Sequence, residues 1–416
     1  MRDHVCALLL STPVHDLLPD SGHDQRLSSR AVRLFDRVGR TGGEDTADGE
    51  LRTEAEQLLQ EAWDRLHAGD RCLAIRYSYA TAAVSKALVV LSSSRSESSP
   101  EEMREALRCL DMALIMSPPL ASKALTSAAS LIHERLPTSS PALASKISAQ
   151  DVVAIRQPIV EEENIQVLRF EREYYRRERC VVIRRAAQHW PALDAQSGRK
   201  WSLEYLCRRA GHRTVPVEVG KRYTDSTWTQ KLMTVNEFVR DYVACEGRND
   251  AEAGYLAQHD WFKQIPDLRK DISVPEFCSI SRDCCDGADE EEEGGSSVDV
   301  DVNVWFGPRA TVSPLHFDQK DNILVQVTGC KYVRIYDKAI PRHVVCPHAA
   351  ESLMSNTSQV DVEDVDPVRF PDFARSASQF MTETILSEGD ALFIPRKTWH
   401  FVKSLSVSAS VSFWWT

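Results

Sequence analysis

From Ser406 to Trp415 the chain alternates without interruption. Ser406, Ser408, Ser410, Ser412 and Trp414 fall on one side, and Val407, Ala409, Val411, Phe413 and Trp415 on the other. A two-residue period held this long fits an extended strand with two unlike faces, one apolar and one lined by small hydroxyls. Shorter runs repeat the theme. Val298, Val300, Val302 and Val304 alternate with Asp299, Asp301, Asn303 and Trp305, and Thr214 to Val219 alternates as well. Cys180 to Ile183 reads as a short buried strand, and Ala391 to Ile394 as another, entered through the turn Glu388-Gly389-Asp390. Asn322 to Thr328 and Lys331 to Tyr336 are expected to form a hairpin across Gly329-Cys330. Many short strands with few helices between them predict a double-sheet jelly roll.

The N-terminal third has a different texture. Apolar positions recur at three and four in Glu54 to Trp63, Ala80 to Leu91 is rich in helix formers, and Leu107, Leu110 and Leu114 form one stripe within Glu101 to Met116. No fixed period defines a repeat. Residues 1–50 read as mixed and polar, with a loop at 41–45, and the apolar run Val5 to Leu10 as the start of the helical part, not a secretory signal. A Ser/Pro/Ala stretch over 137–150 reads as a linker, after which Ser202 caps a helix running through Tyr205 and Leu206. The expected class is therefore α+β: an α-helical region over 1–136, the linker, and a jelly-roll domain with flanking helices over 151–416.

Composition excludes several functions. No stretch approaches the roughly 20 apolar residues that span a bilayer. Eleven cysteines without C-x-x-C spacing argue against a disulfide framework and a zinc ribbon, and fit reduced thiols in a nuclear or cytosolic setting. Of the net charge of −11, seven acids sit in Asp283 to Glu293, within a loop at 283–297 that reads as solvated and disordered; the remainder carries −4.

The chemistry is concentrated in His316-Phe317-Asp318 and in His400, which closes Ile394-Pro395-Arg396-Lys397-Thr398-Trp399-His400. A His and an Asp two apart on one strand point to the same face, and a second His from another strand completes two imidazoles and a carboxylate. Such a set takes one face of an octahedral ferrous ion and leaves three positions open, the ligand set of non-haem iron oxygenases that admit O2 and a co-substrate. Oxygenases of this type commonly take a 2-oxo acid as reductant, and its distal carboxylate needs a cation in a dry pocket. Lys331 is the candidate, on a strand expected beside the His316 strand; taken bare, it reads as a solvated hairpin lysine.

The segments Trp305-Phe306-Gly307-Pro308, Ser313 to Asp318, Asn322, Gly329-Cys330-Lys331-Tyr332, Phe393-Ile394-Pro395, Trp399-His400 and Ser412 to Trp415 together resemble the JmjC class of 2-oxoglutarate oxygenases, within the cupin barrels. The resemblance covers about residues 160–416 strongly and the helical part loosely. It implies iron(II) on His316, Asp318 and His400, and 2-oxoglutarate on Lys331 with the hydroxyls of Tyr255 and Ser313, Asn322 lying near the chelating end. It further implies hydroxylation of C3 of an arginine in a protein. Glu218 and Trp228 would hold the guanidinium, with Tyr223, Gln258, Trp305 and Trp414 as further walls. The expected partner is a protein with an accessible arginine or methyl-lysine, bound by a monomer in the nucleus or cytoplasm, without direct nucleic-acid or membrane contact.

Three other readings stand beside this one. N-methyl-lysine demethylation uses the same iron chemistry on a methyl group, but Glu218 opposite Trp228 suits a guanidinium better. A barrel without metal serving as a binding module conflicts with the presence of all three ligands and Lys331. Peptide hydrolysis finds no Ser/His/Asp or Cys/His arrangement and leaves Lys331 unexplained.

Overall fold

In the computed structural model, residues 2–11, 25–41, 45–70, 72–93, 97–116, 122–137, 153–220, 222–244, 253–281 and 299–416 are described. The two faces of the last strand show how the barrel is built. The strands are β1 (Glu161–Glu163), β2 (Val181–Arg184), β3 (Thr214–Val219), β4 (Thr229–Thr234), β5 (Gly254–His259), β6 (Asp301–Gly307), β7 (Val312–His316), β8 (Asp321–Thr328), β9 (Lys331–Tyr336), β10 (Met381–Leu386), β11 (Ala391–Ile394), β12 (Trp399–Ser404) and β13 (Ser408–Trp415). The larger sheet runs β1-β2-β11-β8-β13-β6-β5-β3-β4 and the smaller β10-β9-β12-β7.

On the outer face of the larger sheet, Val411, Phe413 and Trp415 join Ile323, Val325 and Phe393 against Phe170, Trp190, Trp201 and Phe238 from the flanking segments. Between the sheets, Leu324, Leu392 and Ile394 meet Val333, Ile335, Leu386 and Val402. The serines of β13 are buried inside with them. Register is therefore held hard. A one-residue slip of β13 would push its hydroxyls into the outer apolar layer and its apolar side chains between the sheets, at roughly 1–3 kcal/mol for each hydroxyl left without a partner. The chain is a jelly roll of the cupin kind, α+β overall.

Two expectations are corrected. β8 and β9 are not a hairpin: β8 lies between β11 and β13, β9 between β10 and β12, in different sheets. Gly329-Cys330 is a corner between the sheets. Gly329 has φ +70°, and a Cβ there would come within 2.0 Å of the Val407 carbonyl, so the residue must be glycine. Nor is Lys331 on the neighbour of the His316 strand, because β12 intervenes. The acidic loop at 283–297 and the 138–150 part of the expected linker lie outside the described residues.

Among the described residues, the N-terminal region holds the six helices Arg2–Leu10, Gln25–Thr41, Asp45–His67, Leu73–Ser92, Pro100–Met116 and Ser122–Arg135. Leu73–Ser92 is its axis, buried on nearly every side. Its Ser78, Thr81 and Ser85 hydroxyls each donate to the carbonyl four residues back, so they are buried without an orphan donor. The mixed, polar reading of residues 1–50 missed Gln25–Thr41, whose Leu27, Ala31, Leu34, Phe35 and Val38 form a buried stripe among charges.

This region is bolted to the barrel through Asp111, which is fully buried. Its Oδ1 accepts from Arg213 Nε (2.9 Å), Arg213 Nη2 (2.6 Å) and Gln264 Nε2 (2.8 Å), and its Oδ2 from the Thr214 amide (2.7 Å). Thr214 is the first residue of β3, the strand that carries Glu218.

Candidate active site

β7 ends at His316, and in the antiparallel pairing of β7 with β12 that residue stands opposite His400. The ring centroids are 4.2 Å apart. His316 Nδ1 lies 2.7 Å from the Pro314 carbonyl and His400 Nδ1 2.9 Å from that of Thr398. The same bond to the residue two back places the proton of both rings on Nδ1, so both Nε2 lone pairs face the barrel interior. Burial, then the nearby His316, pushes His400 down to about 4, so it stands as the neutral ring a metal requires.

Asp318 is not on the strand, which stops two residues earlier. It sits on the following loop, where its carbonyl accepts from the Lys397 amide (2.7 Å) and Trp414 Nε1 donates to its Oδ2 (3.1 Å). Its carboxylate still faces the imidazoles, Oδ1 3.8 Å from His316 Nε2 and Oδ2 3.7 Å from His400 Nε2. The three donor atoms lie within 4.8 Å of one another. Two imidazole nitrogens and one carboxylate on one side of a cavity suit a ferrous ion with open positions, and the residues present fit it.

Deeper between the sheets lies Lys331, 1 % exposed. The bare reading of a solvated lysine is overturned. Its Nζ donates to Tyr255 Oη (3.2 Å) and Ser410 Oγ (2.5 Å), the Ser313 hydroxyl meets that of Tyr255, and no carboxylate among the described residues pairs with the ammonium. Burial pulls Lys331 down to about 7. Asn322 is also buried, and its side-chain oxygen has no partner; turned over, its amide presents two donors to the same space. A buried ammonium ringed by hydroxyls, with an unsatisfied amide toward the metal triad, is a receptor for a small dicarboxylate. Ser410 was missed. Its signal was the hydroxyl row of β13, which a strand's polar face explains equally well.

Outward from the triad a cleft of about 670 Å³ brings together Glu218, Tyr223, Trp228, Gln258, Trp305 and Trp414. Glu218, taken bare, reads as solvent-facing, yet burial raises its carboxyl above the usual range. Among the described residues its one hydrogen-bond donor is Trp228 Nε1 at 3.4 Å. Tyr223 Oη meets Thr357 Oγ1 at 3.0 Å, and Trp305 and Trp414 pack edge to face at 6.0 Å. Gln258 stands exposed at the lip with φ +53°. The segment 353–357, also on this wall, gave no sequence signal.

A jelly roll with two histidines and an aspartate at its mouth, and a buried lysine behind them, defines the cupin class of metal-binding oxygenase folds. The cupin-like domain family matches residues 167–416. The chain is 36 % identical over 388 residues to lysine-specific demethylase 8 of Danio rerio, covering 89 % of each. It is 34 % identical to lysine-specific demethylase JMJ30 of Arabidopsis thaliana over 88 % of this chain and 86 % of that one. It is 33 % identical to Jumonji C domain-containing protein 5 of Drosophila melanogaster over 90 % and 89 %. The protein belongs to the JmjC branch of the cupin-like family, whose oxygenases generally use iron(II) and 2-oxoglutarate. Among the described residues no helix is long and apolar enough to cross a membrane.

Proposed function

We propose that the protein hydroxylates C3 of an arginine side chain in a protein substrate, with iron(II) on His316, Asp318 and His400 and 2-oxoglutarate on Lys331, Tyr255, Ser313 and Asn322. The observation that carries the arginine reading is Glu218: a half-buried carboxylate beside an indole, with no basic partner among the described residues, in a cleft that reaches the triad. An acid in that position awaits a cation. A planar guanidinium answers both the carboxylate and the aromatic face, with five N–H donors where a dimethylammonium keeps one and a trimethylammonium none.

Iron(II) and 2-oxoglutarate, when bound, supply reductive activation of O2: one oxygen atom enters the substrate C–H bond and the other leaves in succinate as CO2 is released. The chain's own groups do the rest. Lys331 neutralises the distal carboxylate, Glu218 and Trp228 fix the guanidinium, and Tyr223, Trp305 and Trp414 exclude water from the reacting carbon.

Incubation with an unmodified arginine peptide and with a methyl-lysine peptide tests the reading by mass spectrometry. Gain of one oxygen on arginine is expected. Formaldehyde from the methyl-lysine peptide, with no oxygen on arginine, would establish the second reading, which the names of the relatives favour. Glu218→Gln is expected to raise KM for the arginine peptide about 10–100-fold, the worth of a charged hydrogen bond at about 1.5–3 kcal/mol.

Lys331 gives the co-substrate a pH dependence. Its proton is held at about 7 in the free protein, and a bound dicarboxylate stabilises the charged form. Affinity is therefore full below pH 7 and falls as pH rises through it, approaching about tenfold per unit, with one proton taken up on binding. Calorimetry from pH 6 to 9 in buffers of different ionisation enthalpy measures this. An affinity flat across that range would remove Lys331 as the anchor.

A further inference from the structure

Two segments wall the outer cleft. One is 353–357, fastened to the metal strand: the Phe317 amide donates to the Asn356 carbonyl (3.0 Å), Asn356 Nδ2 to the Phe317 carbonyl (2.9 Å), and Thr357 bridges His316. The other is 222–228, between β3 and β4, which belongs to neither sheet. It is internally bonded, the Asp225 amide to the Arg222 carbonyl and the Trp228 amide to that of Asp225, both at 3.1 Å. Tyr223 and Trp228 therefore move with Arg222. Among the described residues, the hydrogen bonds that tie this wall across are Tyr223–Thr357 and those of Arg222. Its guanidinium binds the Asp361 carboxylate and, at 3.1 Å, Glu363 Oε2, and Glu363 is in turn held by Lys403 of β12 at 2.7 Å.

We propose that Arg222 is a positioning residue for the protein substrate: its clasp on Asp361 and Glu363 holds Tyr223 and Trp228 in place around the guanidinium that enters beside Glu218. Arg222 does not line that cleft. It lies behind it, 12 % exposed at its side chain, where a two-carboxylate partner is worth more than a surface pair. The bidentate fork makes the clasp directional, which a single ammonium cannot reproduce. This inference rests on the reading that the cleft receives the substrate side chain.

The test compares Arg222→Ala, Arg222→Lys and Asp361→Asn/Glu363→Gln with the parent chain. In Arg222→Ala, KM for the arginine peptide is expected to rise about tenfold with kcat held, the mark of lost binding common to ground and transition states. Turnover of 2-oxoglutarate without peptide is expected to stay at the parent level. The amides of Asp225 and Trp228 should exchange with deuterium at least about tenfold faster, while those of β7 and β12 do not change. Arg222→Lys should recover part of the KM, and adding Arg222→Ala to the double carboxylate variant should cost nothing more. An unchanged KM in Arg222→Ala, or a loss confined to kcat, overturns the clasp. A parent chain that never oxidises arginine overturns the function reading instead, and exchange at Asp225 and Trp228 then decides the clasp alone.

Discussion

His316→Ala will leave a folded protein that turns over 2-oxoglutarate at less than about one hundredth of the parent rate, since losing even an outer partner of a metal ligand costs about 10–100-fold. The argument is geometric. His316 and His400 stand opposite each other on paired strands, each with its proton on Nδ1, so removing one ring leaves a nitrogen and a carboxylate that cannot hold a facial site. Stability should change little, because the His316 ring lines the cleft and its strand is held by β12. Far-ultraviolet circular dichroism checks the fold, iron titration checks affinity, and succinate release checks turnover. A variant that keeps the fold and a tenth of parental turnover would refute the metal site.

What sequence reading recovered depended on whether one period decided the matter. The alternation of β13 separated Val411, Phe413 and Trp415 from Ser410 and Ser412; that the first set packs on the flanking segments and the second lies between the sheets came from the structure. The triad was legible because its donor types are rare company. Sheet membership was not, since two residues between strands serve a hairpin and a corner equally; what decides is the approach of the Val407 carbonyl to Gly329, from a strand connection far along the chain. Asp318 reached the right face by a different route from the expected one, through a loop bond to Lys397 and not by the pleat. The hydroxyl next to Lys331 was hidden for a similar reason: Ser410 is one of four serines alike until β9 is laid across from β13.

Asp111→Ala is expected to cost about 3–5 kcal/mol, the loss that follows when one member of a buried pair is removed. The carboxylate serves four donors at once, and without it the Arg213 guanidinium, 1 % exposed, keeps its charge in a dry interface with only the Gln264 carbonyl, 3.0 Å away, among its described partners there. Thr214 loses the acceptor for its amide, and among the described residues Gln264 Nε2 keeps only the Thr214 carbonyl at 2.7 Å. Asp111→Asn should also destabilise, because an amide restores the shape but not the charge and points two hydrogens at groups that are themselves donors. By contrast, Asp111→Leu/Arg213→Met, which removes both charges and keeps apolar volume, should lie far closer to the parent. Urea melts followed by circular dichroism give the ordering. An Asp111→Ala midpoint within about 1 kcal/mol of the parent would mean that the interface relaxes to admit water, and the four-donor picture would be wrong. The functional consequence follows from position. The unmoored residue opens β3, and Glu218 stands four residues along that strand, so Asp111→Ala at a temperature where it remains folded should raise KM for the arginine peptide while the affinity for 2-oxoglutarate, held on β9, β5 and β13, stays where it was.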